Sequence, residues 1–351
     1  MKILQIAPPW EPVPPPAYGG TEAVVSLLTE ELVARGHEVT LVASGDSRTS
    51  ARLVSTTPSS LRNGDYQFKQ FREAMHIATA LRMSRDFEIV HNHAGEMTLA
   101  MGLLLDLPIL TTMHCQITPD TLPIWQQQRG YYNTISRAQA GTLPADVGGV
   151  YLGHVYNAVA PETFPFSPES GDYLLFLSRM SREKGPDLAI EVAHRTGRRL
   201  IMAGKVDATF DQAYFEEEIA PLIDGDQIRF VGEADSVRKR ELYAGASCLL
   251  LPIRWNEPFG LVMPEAMACG KPVVALASGA APELVVHGET GFIANDVDDL
   301  VEYVERVDEI DPYRCRRHVE ENFTPQHLAD GYLRLYAQIL SGELNQPPAL
   351  A

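Results

Sequence analysis

Two glutamates eight residues apart, Glu257 and Glu265, bracket a glycine-bearing stretch that reads PIRWNEPFGLVMPEAMACG over 252–270. A carboxylate accepts two hydrogen bonds in fork geometry from a vicinal diol, the group that both a hexose and a ribose present. Pro264 suits the first position of a helix, Glu265 its first turn and Gly270 its end, so the segment reads as strand, loop and short helix. The amino end of such a helix leaves N–H groups without partners. Together with the amides of Phe259, Gly260 and Leu261 they suit a pyrophosphate, and Gly260 removes the side chain that would block close approach. Taken singly, Glu265 is an ordinary first-turn acid beside a helix dipole and Glu257 a solvated loop charge. Two carboxylates flanking an anion site, in contrast, suit a nucleotide sugar.

Histidines are the other chemistry-bearing residues. His114 closes an apolar run from Ile109, which puts an imidazole at a strand end. His91 and His93 lie two apart on another strand and so share a face, the spacing of a metal pair. With no third ligand nearby they read as buried structural histidines, and no metal is expected. Cys115, Cys248, Cys269 and Cys315 lie far apart without a CxxC pair. That fits reduced thiols in a cytoplasmic protein better than a zinc ribbon or a disulfide framework.

The elements that must hold these residues alternate along the chain. Ile3–Ala7 reads as a strand and Pro8–Pro16 as a loop. A helix then opens near Glu22, with Val24, Val25, Leu28, Leu32 and Val33 as its buried stripe. Arg35-Gly36 stops it, and Val39–Ala43 is the next strand. Helices near 69–83 and 96–105 feed strands at 88–93 and 109–114. The period lapses over 157–172 and restarts with strands at 173–177, 200–203, 228–231, 248–251 and 272–275. Such alternation predicts an α/β chain of two doubly wound, Rossmann-like domains facing across a cleft, with ligands at the carboxyl ends of the strands. The domains expected are 1–160 and 161–324. The stretch 325–351, carrying a helix over 326–340, packs back on the first domain.

Forty-six acids against 29 bases give a formal charge of -17, which argues against a sequence-independent grip on nucleic acid. The first apolar run is too short for a signal peptide and no span suits a membrane helix, so a soluble, cytoplasmic protein is expected. Oligomeric state is not legible. Gly19-Gly20 follows the first strand and precedes a helix without forming GxGxxG, which counts against a nicotinamide dehydrogenase.

The stretch EPFGLVMPEAMACGKPVV, with Glu257 and Glu265 in it, closely resembles the signature of retaining glycosyltransferases of family 4, which have the GT-B fold. Gly19-Gly20-Thr21-Glu22, Arg35 to Val39, Ser178-Arg179 with Glu183-Lys184-Gly185, and HGETGF at 287–292 agree in order. The resemblance implies that Glu265 holds the ribose hydroxyls, Glu257 the donor sugar, and Arg179 and Lys184 the pyrophosphate. Gly19 and Gly20 face the donor phosphate, and His114 touches the sugar. Cations beside the dianionic leaving group also answer the chain's acidity. It further implies metal-independent, front-face transfer with retention of a hexose from a nucleotide diphosphate sugar, a co-substrate rather than a cofactor. UDP is the expected nucleotide. The acceptor, a small molecule or glycan, would sit on the first domain around Gly45-Asp46-Ser47 and 115–132. Cys115 departs from the family's usual residues, which leaves the acceptor open, and Tyr156-Asn157-Ala158 departs from its usual Pro-Asn-Gly at the hinge. A nucleotide-sugar epimerase or hydrolase on the same fold, or a non-catalytic nucleotide-sugar-binding protein, is the alternative.

Overall fold

The computed structural model describes residues 1–105 and 109–342. It divides into two compact units, one of residues 1–158 with the helix that begins at Pro325, the other Val159–Thr324. The expected C-terminal stretch beyond 342 lies outside the described residues.

In the first unit the strands are β1 (Lys2–Ile6), β2 (Glu38–Val42), β3 (Arg52–Val54), β4 (Ile89–Asn92), β5 (Ile109–Met113), β6 (Tyr131–Thr134) and β7 (Val150–His154). All pair in parallel, in the order β3-β2-β1-β4-β5-β6-β7. Helix α1 (Gly20–Ala34) buries Val24, Val25, Leu28 and Leu32. Val33, expected with them, is only half-buried, because one residue past Leu32 lies about 100° round the helix. Helix α2 (Lys69–Met83) buries Ile77, Ala80 and Leu81 under β1 and β4, and the shorter α3 (Glu96–Gly102) follows β4. The C-terminal helix, Pro325–Ser341, packs against α1, and its Gly331 lies so close to Val155 that a Cβ there would stand 2.6 Å from a valine methyl.

In the second unit β8 (Tyr173–Leu177), β9 (Arg199–Ala203), β10 (Ile228–Phe230), β11 (Ala246–Leu251), β12 (Val273–Leu276) and β13 (Gly291–Ala294) are again all parallel, ordered β10-β9-β8-β11-β12-β13. Their apolar runs, such as LLL at 249–251, are buried on both faces, as a parallel sheet covered by helices requires. Each sheet therefore reverses its strand order once, between β1 and β4 and between β8 and β11. The crevices outside the carboxyl ends of those pairs are where a doubly wound sheet receives its ligand. Among the described residues no helix is long and apolar enough to cross a membrane.

Candidate active site

The strand pair at the second unit's reversal carries the loops that hold most of the expected residues. After β8 the chain passes Arg179 and a single 3-10 turn, Arg182–Lys184, to Gly185, which opens helix α4 (Pro186–Thr196). After β11 it passes Trp255, Glu257 and Gly260 into a helix. The loops are bound together, since Arg254 N–H donates to Glu183 O at 2.8 Å and its guanidinium to Arg182 O at 3.0 Å. Gly185 allows that approach: its φ is +75° and a Cβ would fall 2.2 Å from Pro252 O. Gly279, at φ +55°, similarly lies against the Glu257 backbone, and Ala280 N–H donates to Glu257 O.

Lys184 and Glu257 meet here. Lys184 Nζ donates to Glu257 Oε2, and Trp255 Nε1–H donates to the same oxygen at 2.9 Å. The ammonium also lies 4.6 Å from the Trp255 ring centre, a cation–π contact. Both charged side chains are about one-seventh exposed, at 14% and 13%. Glu257 Oε1 has no partner among the described residues, so the carboxylate is held at one oxygen and open at the other.

Arg179 donates to Glu183 and stands 3.3 Å from Asp211. Burial works to raise the Glu183 carboxyl, but hydrogen bonds from the backbone and from Arg179 outweigh it and hold it below the ordinary range. The expected cations thus arrive with carboxylate partners of their own, which the chain's overall acidity did not foretell. An anion entering these loops would exchange with those partners as well as adding to the site.

Gly260 has φ +83°, and a Cβ there would meet the Met263 terminal methyl at 2.8 Å and Glu257 Cγ at 3.3 Å. The N–H groups of Gly260 and Leu261 donate to no acceptor among the described residues, whereas Gly260 O and Leu261 O already accept from Met263 and Glu265. Phe259 buries its ring edge-on against Phe323, 6.0 Å between centres. The helix that follows runs Val262–Ala268, two residues earlier than expected. Pro264 is its third residue rather than its first, still within the turn whose N–H groups have no intrahelical acceptor, so the ring costs no bond.

Glu265 is held apart from Glu257. Helix α5 (Ser236–Gly245) supplies both of its partners, Lys239 Nζ at 2.7 Å from Oε1 and Tyr243 Oη at 2.8 Å from Oε2. Glu265 as a whole is 7% exposed. Each oxygen keeps a lone pair for a further donor, so it can still hold a diol. Lys239 and Tyr243 were not found from the sequence. They sit 26 and 22 residues away in a helix without a distinguishing motif.

In the first unit, Gly19 caps α1 at φ +139°, with Pro15 Cβ 2.8 Å and Glu22 Oε2 3.1 Å from where its own Cβ would be. Gly20 is exposed at the helix start. Glu22, buried just beneath, is pushed up to about 7 by burial and by Glu11 nearby. Glu11 pairs with Arg62, which stacks over Tyr18 at 5.3 Å. His114 follows β5 directly. It is half-buried, and its Nε2 stands 2.9 Å from His93 Nδ1. Burial lowers His114 to about 4. Among the described residues no group of three His, Cys, Asp or Glu side chains could hold a metal ion.

Two family descriptions match in order along the chain: Glycosyltransferase Family 4 over residues 18–147 and Glycosyl transferases group 1 over 163–322. The glycogen synthase of Pseudomonas aeruginosa is 29% identical over 201 residues, 54% of this chain and 38% of that protein. The chain spans about half or less of the first curated relatives it matches. Among solved structures, the sucrose-phosphate synthase of Thermosynechococcus elongatus superposes with a TM-score of 0.79 at 20% identity, covering 98% of this chain and all of that one. Anabaena HepE in complex with UDP and glucose does so with a TM-score of 0.74 at 19% identity, covering 97% and 100%. These likenesses fix the fold as GT-B, two Rossmann-like domains. With both halves matched in their proper order on that fold, the chain belongs to the family 4 glycosyltransferases.

Proposed function

We propose that this protein is a retaining, metal-independent glycosyltransferase that moves a hexose from a nucleotide diphosphate sugar, a UDP-sugar, to a hydroxyl of a small-molecule or glycan acceptor. The observation that carries this reading is the meeting of Lys184, Glu257 and the Gly260 amide at the strand reversal of the second unit. A cation, a half-open carboxylate and unpaired N–H groups gather there at the place where such sheets bind ligands. The complex of the similarly folded HepE with UDP and glucose supports the donor class.

In this reading Arg179, Lys184 and the amides of Phe259, Gly260 and Leu261 take the pyrophosphate, and Gly19 and Gly20 are donor-phosphate contacts as well. Glu257 Oε1 accepts a sugar hydroxyl, Glu265 the ribose hydroxyls, and His114 a further sugar hydroxyl. Transfer builds negative charge on the departing phosphate and an oxocarbenium-like sugar, so fixed donors beside the phosphate lower the barrier. No carboxylate is assigned as nucleophile; the leaving phosphate takes the acceptor proton on the same face.

The test is thermal unfolding with UDP-, GDP- and ADP-sugars, followed by product analysis. A ligand bound by the folded state alone raises the midpoint by mass action. We expect UDP-sugars to raise it most, with or without a chelator present, and the product to keep the anomeric configuration by NMR. No rise with any nucleotide sugar removes the reading; an inverted product removes retention.

A further inference from the structure

His114 stands at the open end of a chain of buried hydrogen bonds that runs through the first unit, and the direction of every bond in that chain is fixed. Asn133 Nδ2 donates to Thr134 O at 3.0 Å, which turns Asn133 Oδ1 toward Thr112, and the single Thr112 hydroxyl hydrogen goes to that oxygen at 2.8 Å. Thr112 Oγ1 therefore only accepts from its other neighbours, Tyr332 Oη at 2.9 Å and His91 Nε2 at 2.7 Å. His91 thus carries its hydrogen on Nε2. Burial keeps this ring neutral far below the ordinary histidine range, so Nδ1 is bare and accepts from Tyr336 O–H at 2.7 Å.

Having donated to His91, the Tyr336 oxygen accepts from Gln5 Nε2 at 3.4 Å. Gln5 then presents Oε1 to His93 Nε2, 2.7 Å away, and that nitrogen must hold the hydrogen. His93 is likewise neutral through burial, so its Nδ1 accepts from His114 Nε2–H at 2.9 Å. Running the chain the other way would turn the one Thr112 hydrogen from Asn133 to His91 and leave two oxygens, Thr112 Oγ1 and Asn133 Oδ1, 2.8 Å apart with no hydrogen between them.

We propose that Gln5, His93, His91 and Tyr336 are positioning residues that lock His114 as the neutral Nε2–H tautomer, leaving Nδ1 as a fixed hydrogen-bond acceptor for a hydroxyl of the bound ligand. A bare nitrogen repels the lone pairs of a phosphate or carboxylate oxygen and accepts only from a group that brings a hydrogen. The device selects a neutral, hydroxylated part of the ligand and makes the C-terminal helix, through Tyr336, part of the recognition apparatus. That the hydroxyl belongs to a donor sugar rests on the function proposed above; the relay itself does not.

The experiment is nitrogen-15 NMR of the full chain labelled at histidine, with His114 assigned from His114→Gln. In the free wild-type protein at neutral pH we expect one His114 species, with a proton on Nε2 and none on Nδ1. Tyr336→Phe frees Gln5 to turn over, and a second His114 species with the proton on Nδ1 should appear. Tyr332→Phe, which removes a bond outside the directed path, should keep the single species. A proton on Nδ1 in the wild type, or an unchanged tautomer in a folded Tyr336→Phe, overturns the proposal. Titrating UDP-glucose, then UDP, onto the same wild-type signal tests the sugar contact separately. A tautomer as derived that only UDP-glucose perturbs supports both, and one that neither perturbs removes the sugar assignment while the relay stands.

Discussion

Lys184 and Glu257 neutralise one another, and Arg179 is matched in the same way by Glu183 and Asp211. A phosphate that displaces these carboxylates takes over an environment already shaped for its charge, so the site need not reorganise at the moment of reaction. Removing one donor from such an anion site costs roughly 2.7–4 kcal/mol of transition-state stabilisation, about 100- to 1,000-fold in turnover. Arg179→Ala and Lys184→Ala should each lose that much in single-turnover rate, and unchanged rates in both would reject their assignment. Glu183→Gln should act the other way on binding: with less competition for the guanidinium, calorimetry should find UDP held more tightly. The paired glutamates were legible because their spacing in a strand–loop–helix segment is itself a chemical pattern. Their counter-charges were not, since Glu183, Asp211, Lys239 and Tyr243 reach the site only through the fold.

At the scale of elements, one glycine governs how the two site loops approach. Gly185 opens α4 and Gly197 closes it, both left-handed at φ +75° and +67°, yet nothing lies within 4 Å of a Cβ at Gly197. Gly197→Ala should therefore cost only the backbone strain, roughly 1–2 kcal/mol. Gly185→Ala should cost that and also push Pro252 O away, spreading the β8 and β11 loops and weakening UDP binding as well as stability. Urea unfolding separates the energies and calorimetry the binding; equal effects of the two variants would mean that the loop contact does not shape the site. Apolar strands such as β8 are legible to the residue because burial on both faces writes a continuous apolar run. Edge strand β3 and the polar β6, YYNT, went unread, and so did β7, broken by Gly153 at φ +99°. Short, half-polar strands that owe their state to a neighbour leave no local period.

Across the first unit, buried titratable groups set opposing demands on pH. His76 and His114 are held at about 4 by burial, and His91 and His93 lie well below the ordinary value for the same reason. Each is neutral when folded and takes a proton when unfolded below about 6.5, so each contributes stability that is lost as pH falls from there. Glu22, raised to about 7, has the opposite sign: its folded carboxyl keeps a proton that the unfolded one releases above about 4.5, so it costs stability as pH rises toward 7. Between pH 5 and 6 these four histidines outweigh the one glutamate, which predicts that stability falls on acidification, beyond the ordinary carboxylate contribution. Urea midpoints followed at buried Trp125 should show that slope. His76→Gln can keep an N–H for Ala7 O, which His76 Nε2 meets at 3.0 Å, and should flatten the slope by about 1 kcal/mol per pH unit. Glu22→Gln should steepen it by as much and raise stability above pH 7, where the buried carboxylate otherwise has to ionise. If both variants parallel the wild type, these burials do not govern the acid limit of the unit.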